Sequence, residues 1–343
     1  MTSSFDGRES LGPATTLGEA HLIAERSTRP VVVSEWKGAE RRDLPGWRFY
    51  RHVIRLGLYL VERAHLQAGD RVVSLLPPSS ERLILDWAVL SQAGVSVALD
   101  PTLASTELDA ALRTLAPRIL VVAGRDELAR VEPLWAAAGF EAILVLDREA
   151  SGPRAKAWVE ALDLGGTLDT AERAQAFRAR ARAIDPAAPA LGYAVDGRAG
   201  DASSWKCASH AEALRGMRDF RSRVAPASMA GRPGTSGDVA YVVGDATSMA
   251  TRLALLSFVA DGETVTFLGT PGREAVEMRE ARPQIVIAPR DVVTSARQPP
   301  RRARGPLRDL LDAVPTRVRW WRRDGAAVPQ QPRVVMTLDS APE

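Results

Sequence analysis

The stretch ALGYAVDGRAGDASSWKCASH, residues 190–210, decides how the rest of the chain is interpreted. Its first residues are apolar and predict a strand, and a helical pattern of apolar residues begins at residue 212. Between them lies a loop rich in glycine and serine. Backbone N–H groups and hydroxyls in such a loop can surround a phosphate. The stretch is therefore interpreted either as a former nucleotide-binding loop or as a structural surface loop.

On both sides of this stretch, apolar runs with strand character alternate with amphipathic helical segments. The predicted strands are at residues 30–35, 71–76, 95–99, 118–123, 142–146, 239–243, 265–268, 285–288, 318–321 and 334–338. The predicted helices are at residues 17–26, 47–66, 80–93, 107–115, 127–138, 155–162, 171–183, 212–224, 249–259, 273–281 and 307–313. This alternation predicts right-handed βαβ units and an α/β fold with mostly parallel sheets.

Composition excludes several classes of protein. With 45% hydrophobic and 25% charged residues, the 343-residue chain is typical of a globular protein with a sizeable core. The net charge of +3 does not require a polyanionic partner. A single cysteine, Cys207, excludes an internal disulfide framework and fits a reducing compartment. We find neither a signal-peptide pattern nor a long apolar run, so we expect a cytoplasmic protein without a transmembrane segment.

Two long segments have the order and spacing of a known family. Residues 69–122 begin GDRVVSLLPPSS and continue through the element DPT, and residues 237–293 begin GDVAYVVGDATS. The residues in register with the family pattern are Gly69, Asp70, Val72, Pro77, Gly94, Asp100, Pro101, Thr102, Arg282, Pro283, Pro289 and Arg290. A shorter match is RDGAAVP at residues 323–329. The chain thereby resembles the adenylate-forming (AMP-binding) superfamily, and within it the N-terminal domain of long-chain acyl-CoA synthetases, in a truncated and degenerate form.

The resemblance implies stacked, mostly parallel sheets with flanking helices. In that family the domain binds ATP, activates a carboxylate as an acyl-adenylate and passes it to coenzyme A. The resemblance also implies that the chain lacks the small C-terminal domain, whose lysine stabilises charge on the reacting carboxylate. We divide the chain into a polar N-terminal segment (1–28), a first α/β subdomain (29–184), a second α/β subdomain with the degenerate loop (185–295) and a basic Pro/Arg-rich C-terminal segment (296–343).

The resemblance also identifies candidate cofactor-binding residues in the loop. The family's phosphate loop reads Y-T-S-G-T-T-G-x-P-K-G, and this chain matches its core only at two glycines. Asp196 places a negative charge where the family has a hydroxyl residue, and the P-K-G element is missing. Lys206 substitutes for the family's lysine only if the loop is two or three residues longer. The candidate residues of this remnant loop are Gly197, Gly200, Ser203, Ser204 and Lys206.

A second family element, P-L-x-H-x-x-E-R, lies at the entry to a helix. It identifies two pocket candidates, Ser248 and Arg252. Ser248 stands in place of its histidine and Thr251 in place of its glutamate, whereas Arg252 matches. We expect Arg252 to form a structural ion pair rather than to contact a ligand. Asp339 falls opposite the glutamate of a third family motif, but its surroundings do not match, so it is assigned no function.

No catalytic residue and no metal site are predicted. The histidines have no metal-ligand spacing, and Cys207 has no base-and-orienter arrangement around it. The histidines are His21, His52, His65 and His210. We expect no cofactor. ATP or AMP with Mg²⁺ would be bound only if the chain were an active ligase.

Three hypotheses remain for the function. The favoured one is a catalytically inactive binding or interaction subunit, with a protein partner or self-association covering open sheet edges. The second is an active acyl-CoA ligase that uses Lys206 and receives its C-terminal domain from another chain. The third is an adaptor that binds an anionic partner through the Arg/Trp-rich segment 296–343. An acyl or nucleotide ligand stays open, and nucleic acid is not expected.

Overall fold

The structure is a computed structural model. It describes residues 11–26, 30–37, 40–135, 139–195, 201, 204–228, 239–242, 247–267, 277, 280–281, 283, 285–289 and 334–338. Its helices are α1 (Leu17–Glu25), α2 (Gly46–Glu62), α3 (Ser80–Leu90), α4 (Ser105–Leu115), α5 (Arg125–Val131), α6 (Trp158–Leu168), α7 (Ala171–Arg182), α8 (His210–Ser228) and α9 (Met249–Asp261). Its strands are β1 (Val33–Lys37), β2 (Glu40–Leu44), β3 (Arg71–Leu75), β4 (Val95–Ala98), β5 (Ile119–Val122), β6 (Ala142–Val145), β7 (Ala155–Ala157), β8 (Pro189–Ala194), β9 (Trp205–Ser209), β10 (Val239–Val242), β11 (Thr264–Phe267), β12 (Ile285–Pro289) and β13 (Val334–Leu338).

The strands form two mostly parallel sheets. Sheet I has the order β7-β6-β5-β3-β4-β8-β9, and sheet II has the order β13-β12-β10-β11-β1-β2. The pairs β8–β9 and β1–β2 are antiparallel, and the other pairs in the described residues are parallel. The predicted α/β class with mostly parallel sheets is confirmed.

Sheet membership does not follow the predicted subdomain boundary between residues 184 and 185. Strands β8 and β9 complete sheet I, whereas β1 and β2, from the start of the chain, lie in sheet II. Val33 of β1 pairs with Val265 of β11. A local apolar run predicts that a strand forms, but it carries no information about a partner more than 200 residues away, so this arrangement was not predicted.

Several predicted elements have different bounds. Residues 155–157, predicted as the start of a helix, pair with β6 as strand β7, and the helix begins at Trp158. Helix α4 begins one residue before its predicted cap Thr106, after Ala104. The short helix predicted at residues 17–26 forms as α1, and it buries Leu17, Ala20 and Ala24 in the core. Most of the helix predicted at 273–281, and all of the elements predicted at 307–313 and 318–321, lie outside the described residues.

Two cores hold the layers together. The larger lies between the sheets, where α3 and α9 contribute Trp87 and Phe258. The smaller lies on the other face of sheet I, against Leu112 of α4. Sheet I lies between the two cores, because successive side chains of each of its strands point to opposite faces. Sheet I therefore has an inner face toward sheet II and an outer face toward α4.

Candidate functional site

The loop within residues 190–210 connects two antiparallel strands. Ala194, the last residue of β8, pairs with Trp205, the first residue of β9. The sequence predicted a direct passage from loop to helix, but β9 intervenes before α8. Of the candidate loop residues, Gly197, Gly200 and Ser203 lie outside the described residues, so the structure assigns them no geometry.

The other two loop candidates, Ser204 and Lys206, are described. The Ser204 hydroxyl is buried and donates a hydrogen bond to the Asp201 carbonyl at 2.7 Å. Lys206 is exposed and lies on β9, directly opposite Tyr193 of β8. Within the described parts of the chain, no carboxylate lies within ion-pair distance of its ammonium group. Lys206 is therefore part of a strand and not of the loop itself.

Helix α8 begins with two side chains that serve its own structure. The Ser209 hydroxyl accepts from the Glu212 backbone N–H at 3.2 Å, and the Glu212 carboxylate accepts from the Ser209 backbone N–H at 2.8 Å. This is a capping box. The buried His210 imidazole accepts from the Leu17 backbone N–H through Nδ1 at 3.2 Å, and burial lowers its pKa to about 4. His210 thus joins α8 to α1 as a neutral side chain.

Arg252 is the only sequence match in the second family element, and both of its Nη atoms bond within the protein. Its Nη1 donates to the carbonyls of Ser96 at 3.1 Å and Gly192 at 3.2 Å. Its Nη2 donates to Asp86 Oδ1 at 3.0 Å and to Ser96 Oγ at 2.9 Å. Only 1% of Arg252 is exposed, so it forms the expected structural ion pair and lines no opening.

Ser248 stands at the start of the same helix and caps it. Its hydroxyl accepts from the Thr251 backbone N–H at 3.2 Å and donates to Thr251 Oγ1 at 2.8 Å. Serine at this position satisfies an N–H group that has no partner inside the helix. The side chain at the entry of α9 is therefore tied to the first turn of its own helix.

The described part of the chain holds no group of three or more His, Cys, Asp and Glu side chains placed to bind a metal ion. Among the helices that the structure describes, none is long and apolar enough to cross a membrane. The Arg/Trp-rich region at residues 296–323 lies outside the described residues.

We next compare the sequence and the fold with those of known proteins. The sequence profile of the family described as "AMP-binding enzyme" matches residues 23–191. This match covers just under half of the chain. The resemblance seen in the sequence is thereby confirmed, and the match ends within β8, just before the degenerate loop.

Solved structures share this AMP-binding fold at low sequence identity. A Rhodopseudomonas palustris protein described as a long-chain-fatty-acid CoA ligase has a TM-score of 0.61 and 16% identity, with 80% of this chain and 63% of that chain covered. The luciferase-like enzyme of the mealworm Zophobas morio has a TM-score of 0.60 and 16% identity, with 80% and 59% covered. The fatty acyl-adenylate ligase of L. pneumophila, solved with acyl adenylate and pyrophosphate, has a TM-score of 0.58 and 14% identity, with 82% and 45% covered.

The chain thus spans less than two thirds of the length of these three proteins. At such identities the likeness concerns the fold alone. No curated protein matches the chain in sequence.

Proposed function

We propose that this chain is a degenerate AMP-binding protein of the acyl-CoA synthetase type, without ligase activity, that acts as a binding or interaction subunit. One observation carries the proposal. Three described side chains at or near positions where the family handles its nucleotide and acyl group make bonds within the protein. Ser204 bonds to its own loop, Ser248 caps α9, and Arg252 is buried against Asp86.

The charges of the loop support the same proposal. Asp196 introduces a carboxylate beside the loop glycines, which opposes the approach of a triphosphate. The P-K-G lysine is absent, and Lys206 lies in register on β9. Loss of one well-placed stabilising group commonly costs an enzyme about 3 kcal/mol of transition-state binding, so several simultaneous losses are expected to remove measurable turnover.

Carboxylate-dependent pyrophosphate exchange tests the absence of ligase activity. The intact chain is incubated with ATP·Mg²⁺, labelled pyrophosphate and a panel of short, long and aromatic acids, and no exchange above the acid-free rate is expected. Exchange that Lys206→Ala abolishes and Lys156→Ala preserves would instead support an active ligase. Lys156 is a matched control because it lies on β7, at the opposite edge of sheet I, beside Glu160.

A calorimetric titration with ATP·Mg²⁺, AMP and an acyl-CoA then identifies any retained ligand. Binding of AMP or acyl-CoA without exchange fits a binding subunit. Tight binding of ATP·Mg²⁺, at a Kd in the low micromolar range, contradicts the proposed loss of the triphosphate site.

The edges of the sheets support an interaction role. Edge strand β2 carries Glu40, Arg41, Arg42 and Asp43 on exposed positions, and such charges discourage pairing with another chain. Edge strand β9 has one charged residue, Lys206, and an exposed Cys207. We propose that β9 is the edge that a partner or a second copy covers. Light scattering at micromolar concentration tests this, and a monomer with no co-purifying protein argues against it.

We also propose a cytoplasmic location. The support is the single cysteine, which is exposed and unpaired, together with the absence of a membrane-spanning helix from the described residues. Fractionation of the native host cell, with a periplasmic marker as control, tests the location.

A further inference from the structure

A cavity of about 260 Å³ opens on the outer face of sheet I. Its lining includes Arg71 at the start of β3, Val97 of β4, Gly192 of β8, and Trp205 and Cys207 of β9. Lys206, a candidate residue of the remnant loop, also lines the cavity, but the proposed function assigns the cavity no ligand.

The side chains of β4 alternate between the outer face of sheet I, where the cavity lies, and the inner face toward sheet II. Ser96 turns inward and bonds to Asp86 and Arg252, so its neighbour Val97 turns outward into the smaller core. Cys207 lies directly opposite Gly192 in the β8–β9 pair, and residues paired in this way share a face. The cavity and the Arg252 network therefore lie on opposite faces of the same sheet.

The walls of the cavity are apolar, and the absence of a side chain at Gly192 shapes them. A Cβ atom at this position would lie 2.7 Å from Val97 Cγ2, closer than real side chains approach, so glycine allows β8 to pass beside the valine. Trp205 packs against the outer core with part of its surface left accessible. An apolar ligand would therefore find a valine, an indole ring and a flat glycine backbone.

Two basic residues, Arg71 and Lys206, line the cavity beside its apolar walls. Arg71 is exposed, and its Nη1 donates to the Leu115 carbonyl at 2.8 Å, which orients the guanidinium. Partial burial raises the pKa of the Cys207 thiol, while the charges of Arg71 and Arg252 oppose this shift. A guanidinium presents several N–H donors in one plane, and a carboxylate accepts two of them at once.

We propose that this cavity binds a small carboxylic acid with an apolar body, such as benzoate or octanoate. The cavity has the volume of roughly nine water molecules at about 30 Å³ each, which suits about ten non-hydrogen atoms. The carboxylate meets Arg71, and the ring or chain lies against Val97 and Trp205. The recognition chemistry is one charged contact combined with apolar burial.

Cys207 provides a built-in reporter, because it is the only cysteine in the chain and lines the cavity. The rate of its alkylation by iodoacetamide is followed by mass spectrometry, with and without benzoate or octanoate. At an acid concentration of twice Kd, about one third of the sites remain empty, so alkylation slows about threefold. Benzyl alcohol and octanol have the same apolar bodies without the carboxylate, and at equal concentration they leave the rate unchanged.

Two variants locate the effect at Arg71. Arg71→Leu removes the protection by acids. Arg113→Leu retains it, since Arg113 is not among the residues that line the cavity and pairs with Asp109 on α4. Absence of protection by either acid, equal protection by the alcohols, or full protection in Arg71→Leu overturns the proposal. The comparison of acid with alcohol uses the unmodified chain, so it holds even if a variant folds poorly, and its outcome is independent of pyrophosphate exchange.

Discussion

The Arg252 guanidinium donates to the Asp86 carboxylate at 3.0 Å, although the two residues are 166 positions apart. Asp86 also accepts from Ser96 Oγ at 2.5 Å, and Arg82 Nε lies 3.5 Å from its other oxygen. All of these side chains are buried. The contact joins α3, α9 and β4, so it ties two helices between the sheets to a strand whose Val95 and Val97 lie in the outer core.

Replacing Asp86 by asparagine is expected to lower the free energy of unfolding by about 3–5 kcal/mol. The substitution keeps the shape but removes the carboxylate charge beside the buried Arg82 and Arg252. Urea denaturation measures the loss. Asp109→Asn is the matched control, since Asp109 forms an exposed pair with Arg113 whose loss is expected to change stability by about 0.5 kcal/mol or less. Equal effects of the two substitutions would contradict the role given to the buried network.

The same network predicts sensitivity to acid. Burial raises the pKa of Asp86, but the charges of Arg252 and Arg82 and the Ser96 hydrogen bond outweigh it, so the net pKa lies below its ordinary value. Because the folded state holds the proton less tightly than the unfolded chain, the stabilisation is present above the unfolded pKa and is lost as pH falls below it. The difference in stability between wild type and Asp86→Asn should therefore shrink as the pH is lowered toward 3.

His21 is expected to cause a second loss of stability, at a higher pH than the loss caused by Asp86. Its ring lies between Tyr50, Trp87 and Phe177 at centroid distances of 5.7, 5.8 and 6.0 Å, and no described residue hydrogen-bonds to either ring nitrogen. Burial lowers its pKa from 6.5 to about 4. Between these values the unfolded chain binds the extra proton, so stability falls as pH decreases from 6.5 toward 4.

His21→Leu should reduce this pH dependence. Between pH 7 and pH 4.5, the variant is expected to lose about 2 kcal/mol less unfolding free energy than wild type. Urea titrations at the two pH values measure the difference. Phe177→Leu alters the same aromatic cluster without changing a titrating group, and it should lower stability equally at both pH values. An identical pH dependence of His21→Leu and wild type would count against the mechanism.

At Gly165, we expect that the fold does not tolerate even one added methyl group. A Cβ atom there would overlap the backbone carbonyl of Arg55, because α6 crosses α2 in direct contact. Gly165→Ala is expected to destabilise the fold by about 1–3 kcal/mol or more, as in overpacked cores. Gly152→Ala is the control, since a Cβ there meets no atom within 4 Å. Thermal unfolding of the two variants should separate them clearly.

Replacing Ser248 is expected to change the stability of the protein only through the cap of α9. Ser248→Ala removes the cap of α9 and should lower stability by about 1 kcal/mol. Ser248→Asp retains an accepting oxygen at the cap and should restore most of the loss. Both are measured by urea denaturation. If Ser248→Ala instead weakened AMP or acyl-CoA binding without changing stability, Ser248 would line a ligand pocket as the family register first suggested.

Much of the fold could be predicted because local patterns were strong. Residues 71–76 and 95–99 are apolar runs bounded by glycine and proline, and the strands formed there. Strands β2 (ERRDL) and β9 (WKCAS) have no such pattern, because edge strands do not need two apolar faces, and they were not predicted. The order of the sheets depends on pairings between distant residues that no local pattern records.

The candidate site was predictable only in part, for the same reason. Alignment with family elements identified Arg252 and anticipated its structural role, but it did not identify Asp86 as the partner. Asp86 lies in an ordinary amphipathic helix, and its sequence neighbours carry no sign of the distant arginine. The outer-face cavity was not predicted either, since its lining comes from four separate strands and the end of α4.

The pairing of β1 with β11 affects the order in which this chain assembles. The Thr264 hydroxyl donates to the Val31 carbonyl across 233 residues. At about 5–20 residues per second of synthesis, the start of the chain leaves the ribosome roughly ten to fifty seconds before its partner strand. Sheet I can close during this interval, and we expect the first hairpin to wait with an open edge. A chaperone that protects the open edge of this hairpin would therefore have to act during synthesis, before β11 leaves the ribosome.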